Sequence, residues 1–187
     1  IQSILKAYEG GITDFGENYL QEAEEKISQL PSDITWHFIG SIQRKKSKKI
    51  ACLFDWVHTI DRIEVAESLN NARPKELGQL NVCVQVNLDN EESKSGIMIN
   101  EIDEFLDNVF KYEYLSLRGI MAIPSKSNAL KENVNSYNIL KLKYDKLSNK
   151  YKNIDTLSLG MSNDYKLALS KGSNMIRIGS LIFGERK

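Results

Sequence analysis

Short apolar runs rich in β-branched residues alternate along this chain with longer stretches whose apolar residues recur at helical spacing, and that alternation admits few folds. Thr35 to Ile39 (TWHFI), Trp56 to Ile60 (WVHTI), Val82 to Leu88 (VCVQVNL), Leu115 to Ala122 (LSLRGIMA) and Thr156 to Leu159 read as strands, preceded by Ile12 to Phe15 and followed by Met175 to Ile178. Helical spacing fills the intervals. It runs over Ile1 to Tyr8, closed by Gly10-Gly11, over Asn18 to Leu30, stopped by Pro31, and through Ile42, Ile50 and Leu53. Further helices are expected over Arg62 to Ala72, Ile99 to Val109, about Leu130 to Tyr151, and Asp164 to Ser170, with a last turn near Ile182-Phe183.

Strands that alternate with helices make βαβ units and hence a parallel sheet. Seven strands headed by a helix leave an eight-stranded count one short, and unpaired sheet edges are a liability that barrel closure removes. The expected fold is therefore an α/β chain of the (β/α)8 TIM type, a single domain over residues 1–187, with its first strand upstream of Ile1. An open doubly wound sheet is the alternative, but no strand leads into a dinucleotide-type glycine fingerprint.

The balance of 25 Lys+Arg against 25 Asp+Glu gives no electrostatic footprint for nucleic acid or an anionic membrane. The basic run Arg44 to Lys49 reads as a solvated helix face, since no aromatic residues interleave it for stacking on bases. Cys52 and Cys83 belong to no metal-spacing motif and read as small buried hydrophobes of a reducing compartment. No apolar run approaches the roughly 20 residues that span a bilayer, and no basic segment followed by an apolar stretch opens the chain. A cytoplasmic location is expected.

Barrels of this type place working residues at the C-terminal ends of strands and commonly bind phosphate after strands seven and eight. Gly160-Met161-Ser162 leads from one such strand into a helix that Ser162 is expected to cap, and Gly179-Ser180 leads out of the last. Small residues there let backbone N–H groups face an anion, although capping and turning alone explain the same pattern. Arg177, one loop away within Met175 to Gly179, needs an acceptor to offset its desolvation, either a carboxylate or a ligand. Asn18, after Phe15-Gly16-Glu17, and His37 within its strand are placed to reach the barrel mouth, while capping and core hydrogen bonding are the plainer readings of each. His58 shares the doubt attached to His37. Lys94, in the polar loop Asn87 to Gly96, reads as a solvated rim residue with phosphate or substrate contact as a secondary role.

FGENYLQEA (Phe15 to Ala23), WHFIGSIQ (Trp36 to Gln43), VHTIDR (Val57 to Arg62), NEESKSGI (Asn90 to Ile97), LRGIMAIP (Leu117 to Pro124) and GMSNDYKLALSKGSNMIRIGSLIFGER (Gly160 to Arg186) together resemble the pyridoxal phosphate homeostasis proteins. The motifs stand in order and cover nearly the whole chain. The resemblance implies the barrel of alanine racemase and the eukaryotic-type ornithine decarboxylases without their second domain. It implies pyridoxal 5′-phosphate as cofactor, with Ser162, the Met161 backbone, Gly179 and Ser180 on the phosphate, Arg177 at the pyridine nitrogen, and Asn18 and His37 lining the ring pocket. The family's Schiff-base lysine is expected upstream of Ile1, so no catalytic residue is assigned. Arg44-Lys45 departs from the small or amide residues frequent after the family's glutamine.

The function so implied is intracellular pyridoxal phosphate homeostasis, by a monomer that holds the cofactor and passes it to apo enzymes that need it, with no turnover of its own. Two other functions compete: an amino-acid racemase or decarboxylase of the same barrel type, which needs an acid or base on the cofactor's second face, and a barrel that binds a phosphorylated metabolite.

Overall fold

The computed structural model describes residues 1–88, 95–124 and 134–184 of the chain. The helices are α1 (Gln2–Glu9), α2 (Leu20–Ile27), α3 (Ser47–Leu53), α4 (Ile63–Ala72), α5 (Ile102–Val109), α6 (Val134–Lys150), α7 (Tyr165–Ser170) and α8 (Ser180–Phe183). The strands are β1 (Asp14–Glu17), β2 (Thr35–Phe38), β3 (Trp56–Ile60), β4 (Leu80–Asn87), β5 (Ile97–Met98), β6 (Leu115–Ala122), β7 (Thr156–Met161) and β8 (Met175–Arg177).

All pairings are parallel, in the order β1-β2-β3-β4-β6-β7-β8, with β5 attached to the end of β4 through Val86 and Asn87. Among the described residues the count is eight strands where the periodicity predicts seven, because β5 is only two residues long and has no period to detect. β1 begins two residues later than expected, at Asp14 rather than Ile12, because the parallel ladder sets its register: Asp14 lies opposite Thr35 and Glu17 opposite Phe38. The long helix was expected from about Leu130; residues 125–133 lie outside the described part, and α6 is described from Val134.

Period-two alternation sorts each strand's side chains between two faces. Trp36 and Phe38 turn toward the helices, where the Phe38 ring meets Phe54 at 5.1 Å just after α3. His37 between them faces the other way and stacks on Trp56 at 5.4 Å. That second face closes on itself: His58 of β3 reaches Ser158 of β7, and the Arg118 guanidinium of β6 lies 4.9 Å over the Trp56 ring of β3. Strands that far apart in the order meet only if the sheet curls, so the architecture is a nearly closed β/α barrel and not an open doubly wound sheet. Between sheet and helices, Val57, Val82, Leu117 and Leu157 bury with Ile50, Leu69, Leu106 and Leu140 in one apolar cluster.

Two details hold the layers in register. Arg73, just past α4, donates to four carbonyls, Ala51 at 2.7 Å, Phe54 at 2.8 Å, Leu77 at 3.0 Å and Gly78 at 3.0 Å, so it ties the end of α3 to the turn before β4. Gly119 lets β6 and β7 approach, since a Cβ there would stand 1.8 Å from the Thr156 carbonyl oxygen.

The expectation that both cysteines are buried holds for Cys83 alone. Cys52 is exposed, because α3 spends its inward face on Ser47, Ile50 and Ala51. Among the described residues, no helix is long and apolar enough to cross a membrane.

Candidate functional site

The inner face of the barrel carries a set of hydrogen-bonded polar groups beside the Trp56 ring. At the N-terminal end of the strands, Arg118 pairs with Asp155 in a bidentate contact and donates to Asn81 Oδ1 at 2.8 Å. From Asp14, at the N-terminal end of β1, a line of hydrogen-bonded groups runs across the interior: Asp14 Oδ1 to His37 Nε2 at 3.1 Å, His37 Nδ1 to His58 Nε2 at 2.9 Å, His58 Nδ1 to Ser158 Oγ at 3.0 Å, and Ser158 Oγ to Arg177 Nη1 at 2.6 Å. Arg177 also donates from Nη2 to the Ala122 carbonyl at 2.9 Å.

Each of these residues sits on a different strand, so the line crosses the barrel instead of following the chain. Burial pushes the pKa of His37 down despite the neighbouring Asp14 carboxylate. His58 is held well below the ordinary imidazole value by burial first, then by the repulsion a protonated His37 would exert and by the Arg177 cation. Both rings are accordingly neutral at pH 7. Burial also pushes the Cys83 thiol up to about 12, so it carries no reactive thiolate at neutral pH. Burial lowers Arg177 to about 10, which still leaves the guanidinium charged.

The sequence posed a choice for Arg177 between a carboxylate and a ligand. Its hydrogen-bond partners are a hydroxyl and a carbonyl, and among the described residues no carboxylate lies within ion-pair distance of it. A half-buried cation served only by neutral acceptors is suited to a ligand that brings a lone pair or a negative charge.

The two turns that follow β7 and β8 converge. Ser162 Oγ accepts the Gly179 N–H at 3.2 Å and lies 3.5 Å from the Leu181 amide nitrogen. This corrects the expected capping role, because the residue at the N-cap of α7 is Asp164 and the Ser162 hydroxyl points across to the other turn. Asp164 organises the first turn: Oδ1 accepts the Met161 N–H at 2.7 Å and Oδ2 accepts the Tyr137 hydroxyl at 2.5 Å. The amide of Met161, expected to face an anion, is therefore turned to Asp164 instead. Gly179 and Ser180 are exposed, and a Cβ on Gly179 would meet nothing within 4 Å, so open space lies in front of this turn.

The remaining expected residues fall as follows. Asn18 is half-buried at the C-terminal end of β1, the opposite end of the strand order from Gly179. Its carbonyl packs against Gly40 after β2, where a Cβ would come within 2.0 Å of it. His37 is an interior residue, bonded to Asp14 and His58. Lys94 lies outside the described residues. Sequence reasoning missed Ser158, Asp164 and Asp14 and undervalued His58. The signal for His58 and Ser158 was present, since polar residues at alternate positions of apolar strands must find partners inside.

The model of the alanine racemase N-terminal domain matches residues 1–187. The pyridoxal phosphate homeostasis protein of Escherichia coli is 44% identical over 188 residues, covering 98% of this chain and 80% of the relative. That of Vibrio alginolyticus is 43% identical over 191 residues, covering 100% and 82%. Among solved structures, PipY of Synechococcus elongatus with pyridoxal phosphate bound is similar with a TM-score of 0.86 at 29% identity, over 98% of this chain and 87% of that one. The same protein without the cofactor gives 0.90 at 30% identity, over 98% and 87%. An alanine racemase of Clostridium difficile shares the fold, with a TM-score of 0.69 at 16% identity over 92% of this chain and 45% of that one.

Proposed function

The chain belongs to the alanine racemase N-terminal domain family and, within it, to the pyridoxal phosphate homeostasis proteins, and from that premise we propose that it binds pyridoxal 5′-phosphate and takes part in keeping its level inside the cell. The observation that carries this reading is the convergence of the β7 and β8 turns on Ser162, one strand end away from a guanidinium whose hydrogen-bond partners among the described residues are neutral. A phosphate monoester and a ring nitrogen with a lone pair are the two acceptors such a pair of features suits.

In this reading the Ser162 hydroxyl and the backbone at Gly179 and Ser180 hold the phosphate. Arg177 meets the pyridine nitrogen, while Asn18 and His37 bound the ring pocket from the β1 and β2 side. Lys94 is a secondary contact from the rim. Pyridoxal phosphate supplies an aldehyde and a ring able to withdraw electrons. A fixed cation beside the ring nitrogen opposes its protonation and so weakens that electron sink. The residues of this chain therefore favour holding the cofactor over driving carbanion chemistry with it, and enzymes that use pyridoxal phosphate are the natural recipients.

Titration of the protein with pyridoxal phosphate, followed by absorbance and intrinsic fluorescence, tests this. Saturable binding that weakens at least about tenfold in Arg177→Gln, the loss of one charge-assisted contact, is expected. Competition by inorganic phosphate and by pyridoxal without its phosphate separates the two halves of the site. Absence of saturable binding, or equal displacement by an unrelated sugar phosphate, overturns the proposal.

A further inference from the structure

The line of groups from Asp14 to Arg177 has a direction, and it follows from counting donors and acceptors. Arginine has no acceptor, so Ser158 Oγ must accept from Nη1. A carboxylate has only acceptors, so the His37 nitrogen facing Asp14 must carry the hydrogen. With the ring neutral, His37 Nδ1 is then an acceptor, and His58 Nε2 must donate to it. His58 Nδ1 is left as an acceptor and takes the Ser158 O–H. No other assignment satisfies all four contacts with neutral rings. His58 and Ser158 are 1% and 0% exposed, so no solvent is at hand to replace a mismatched partner.

The surroundings leave the two ends in charge. Asp55, the other carboxylate acting on His37, has its Oδ2 committed to the Trp36 N–H at 2.8 Å. Trp56 covers the His37 ring face. Near Arg177, Cys83 is a neutral thiol, and the Asp164 carboxylate that also acts on the guanidinium has its oxygens committed to the Met161 N–H and the Tyr137 hydroxyl.

We infer that Asp14, His37, His58 and Ser158 are positioning residues for Arg177, forming a one-way hydrogen-bond relay that sets both imidazole tautomers from the Asp14 end and presents Ser158 to the guanidinium as its acceptor. This rests on Arg177 being the residue that meets the ring of the bound cofactor. Its consequence is that the contact to the ring depends on a carboxylate four hydrogen bonds away. Asp14 is on the first described strand and Arg177 on the last, so the relay also joins the two ends of the strand order.

Two-bond proton–nitrogen NMR correlation of the ligand-free protein at neutral pH reads the tautomers directly. Both rings are expected neutral with the hydrogen on Nε2; a hydrogen on Nδ1 of either ring, or an imidazolium, overturns the relay. In Ser158→Ala both tautomers are expected to stay as Asp14 sets them, while Arg177 loses an acceptor and pyridoxal phosphate affinity falls about tenfold. Ser158→Thr keeps the hydroxyl and restores the affinity. Asp14→Asn, at the exposed end, releases the relay, because an amide can donate or accept: a second tautomer population with the hydrogen on Nδ1 is expected at His37 and, with it, at His58, which does not touch Asp14. Should Ser158→Ala fail to fold, Asp14→Asn still reads the coupling. Unchanged tautomers in Asp14→Asn, or altered ones in Ser158→Ala, defeat the inference. The cofactor titration stands apart: the expected tautomers without cofactor binding sink the proposed function alone, whereas Arg177-dependent binding with other tautomers sinks the relay alone.

Discussion

His58 Nδ1 and Ser158 Oγ stand 3.0 Å apart although 100 residues separate them in the chain. The contact ties β3 to β7 through the middle of the barrel, where a polar group without a partner costs roughly 1–3 kcal/mol. Each of these groups has its partners on both sides, so the interior is polar without being unstable.

The histidine pair makes stability fall on the acid side of neutrality. In the unfolded chain both imidazoles titrate near 6.5, while in the folded state burial holds them below that value. Between the unfolded and folded pKa values the unfolded chain binds more protons, so stability is whole above about pH 7.5 and declines as pH drops through 6.5. Melting curves from pH 7.5 down to 5.5 are expected to show a falling Tm, and His58→Asn is expected to flatten that dependence. A Tm that rises toward pH 5.5 contradicts the assignment of neutral rings.

Ser162→Ala separates binding from folding. It removes the oxygen shared by the amides of Gly179 and Leu181 at exposed turns, so the expected loss of stability is small, about 1 kcal/mol or less. Pyridoxal phosphate affinity is expected to fall roughly 10- to 100-fold if the hydroxyl serves a phosphate, the range of a charge-assisted hydrogen bond. Parallel denaturant melts and cofactor titrations check both halves.

Gly160→Ala is expected to damage the barrel and its mouth together. Gly160 has φ +100°, and a Cβ there would stand 2.6 Å from the Ala168 Cβ on α7. Strain of about 1–3 kcal/mol adds to a packing clash between β7 and α7. Denaturant titration is expected to give a lower midpoint with an unchanged m-value, and the control Gly78→Ala, at φ +65° in open space, a smaller loss.

Arg73 is expected to matter for stability and not for the cofactor. Its four bonds to carbonyl oxygens cannot be reproduced by one ammonium, so Arg73→Lys is expected to destabilise by about 2 kcal/mol and Arg73→Ala by about 3–5. Cofactor affinity measured well below the melting temperature is expected to stay within about twofold in the lysine variant, since no bond of Arg73 reaches the inner face.

Strand and helix order was legible because one face of every strand and one stripe of every helix had to be apolar. The pattern was weakest where it had least length to repeat. The two-residue β5 left no trace, and β1 slid by two residues because Ile12 looked like a strand residue until the ladder with Thr35 set the register. The β7 turn was legible as a Gly-Met-Ser loop but not in its wiring. Asp164 took the N-cap position and the Met161 amide, which freed Ser162 to cross to Gly179. Nothing local distinguishes those two roles, since serine and aspartate both accept from backbone amides.

By itself, the sequence determined the layer architecture and the family, because hydrophobic period and motif are properties of neighbours along the chain. It also placed a cation and two glycine turns at the ends of the last strands. Only the tertiary structure decided what those groups face. A parallel barrel sets side chains from distant strands at hydrogen-bond distance across its interior, and there the scarcity of solvent forces each polar atom to settle with a specific partner. That is why His58, read along the chain as a doubtful core residue, stands between Asp14 and Arg177 in a line that no segment of the sequence contains.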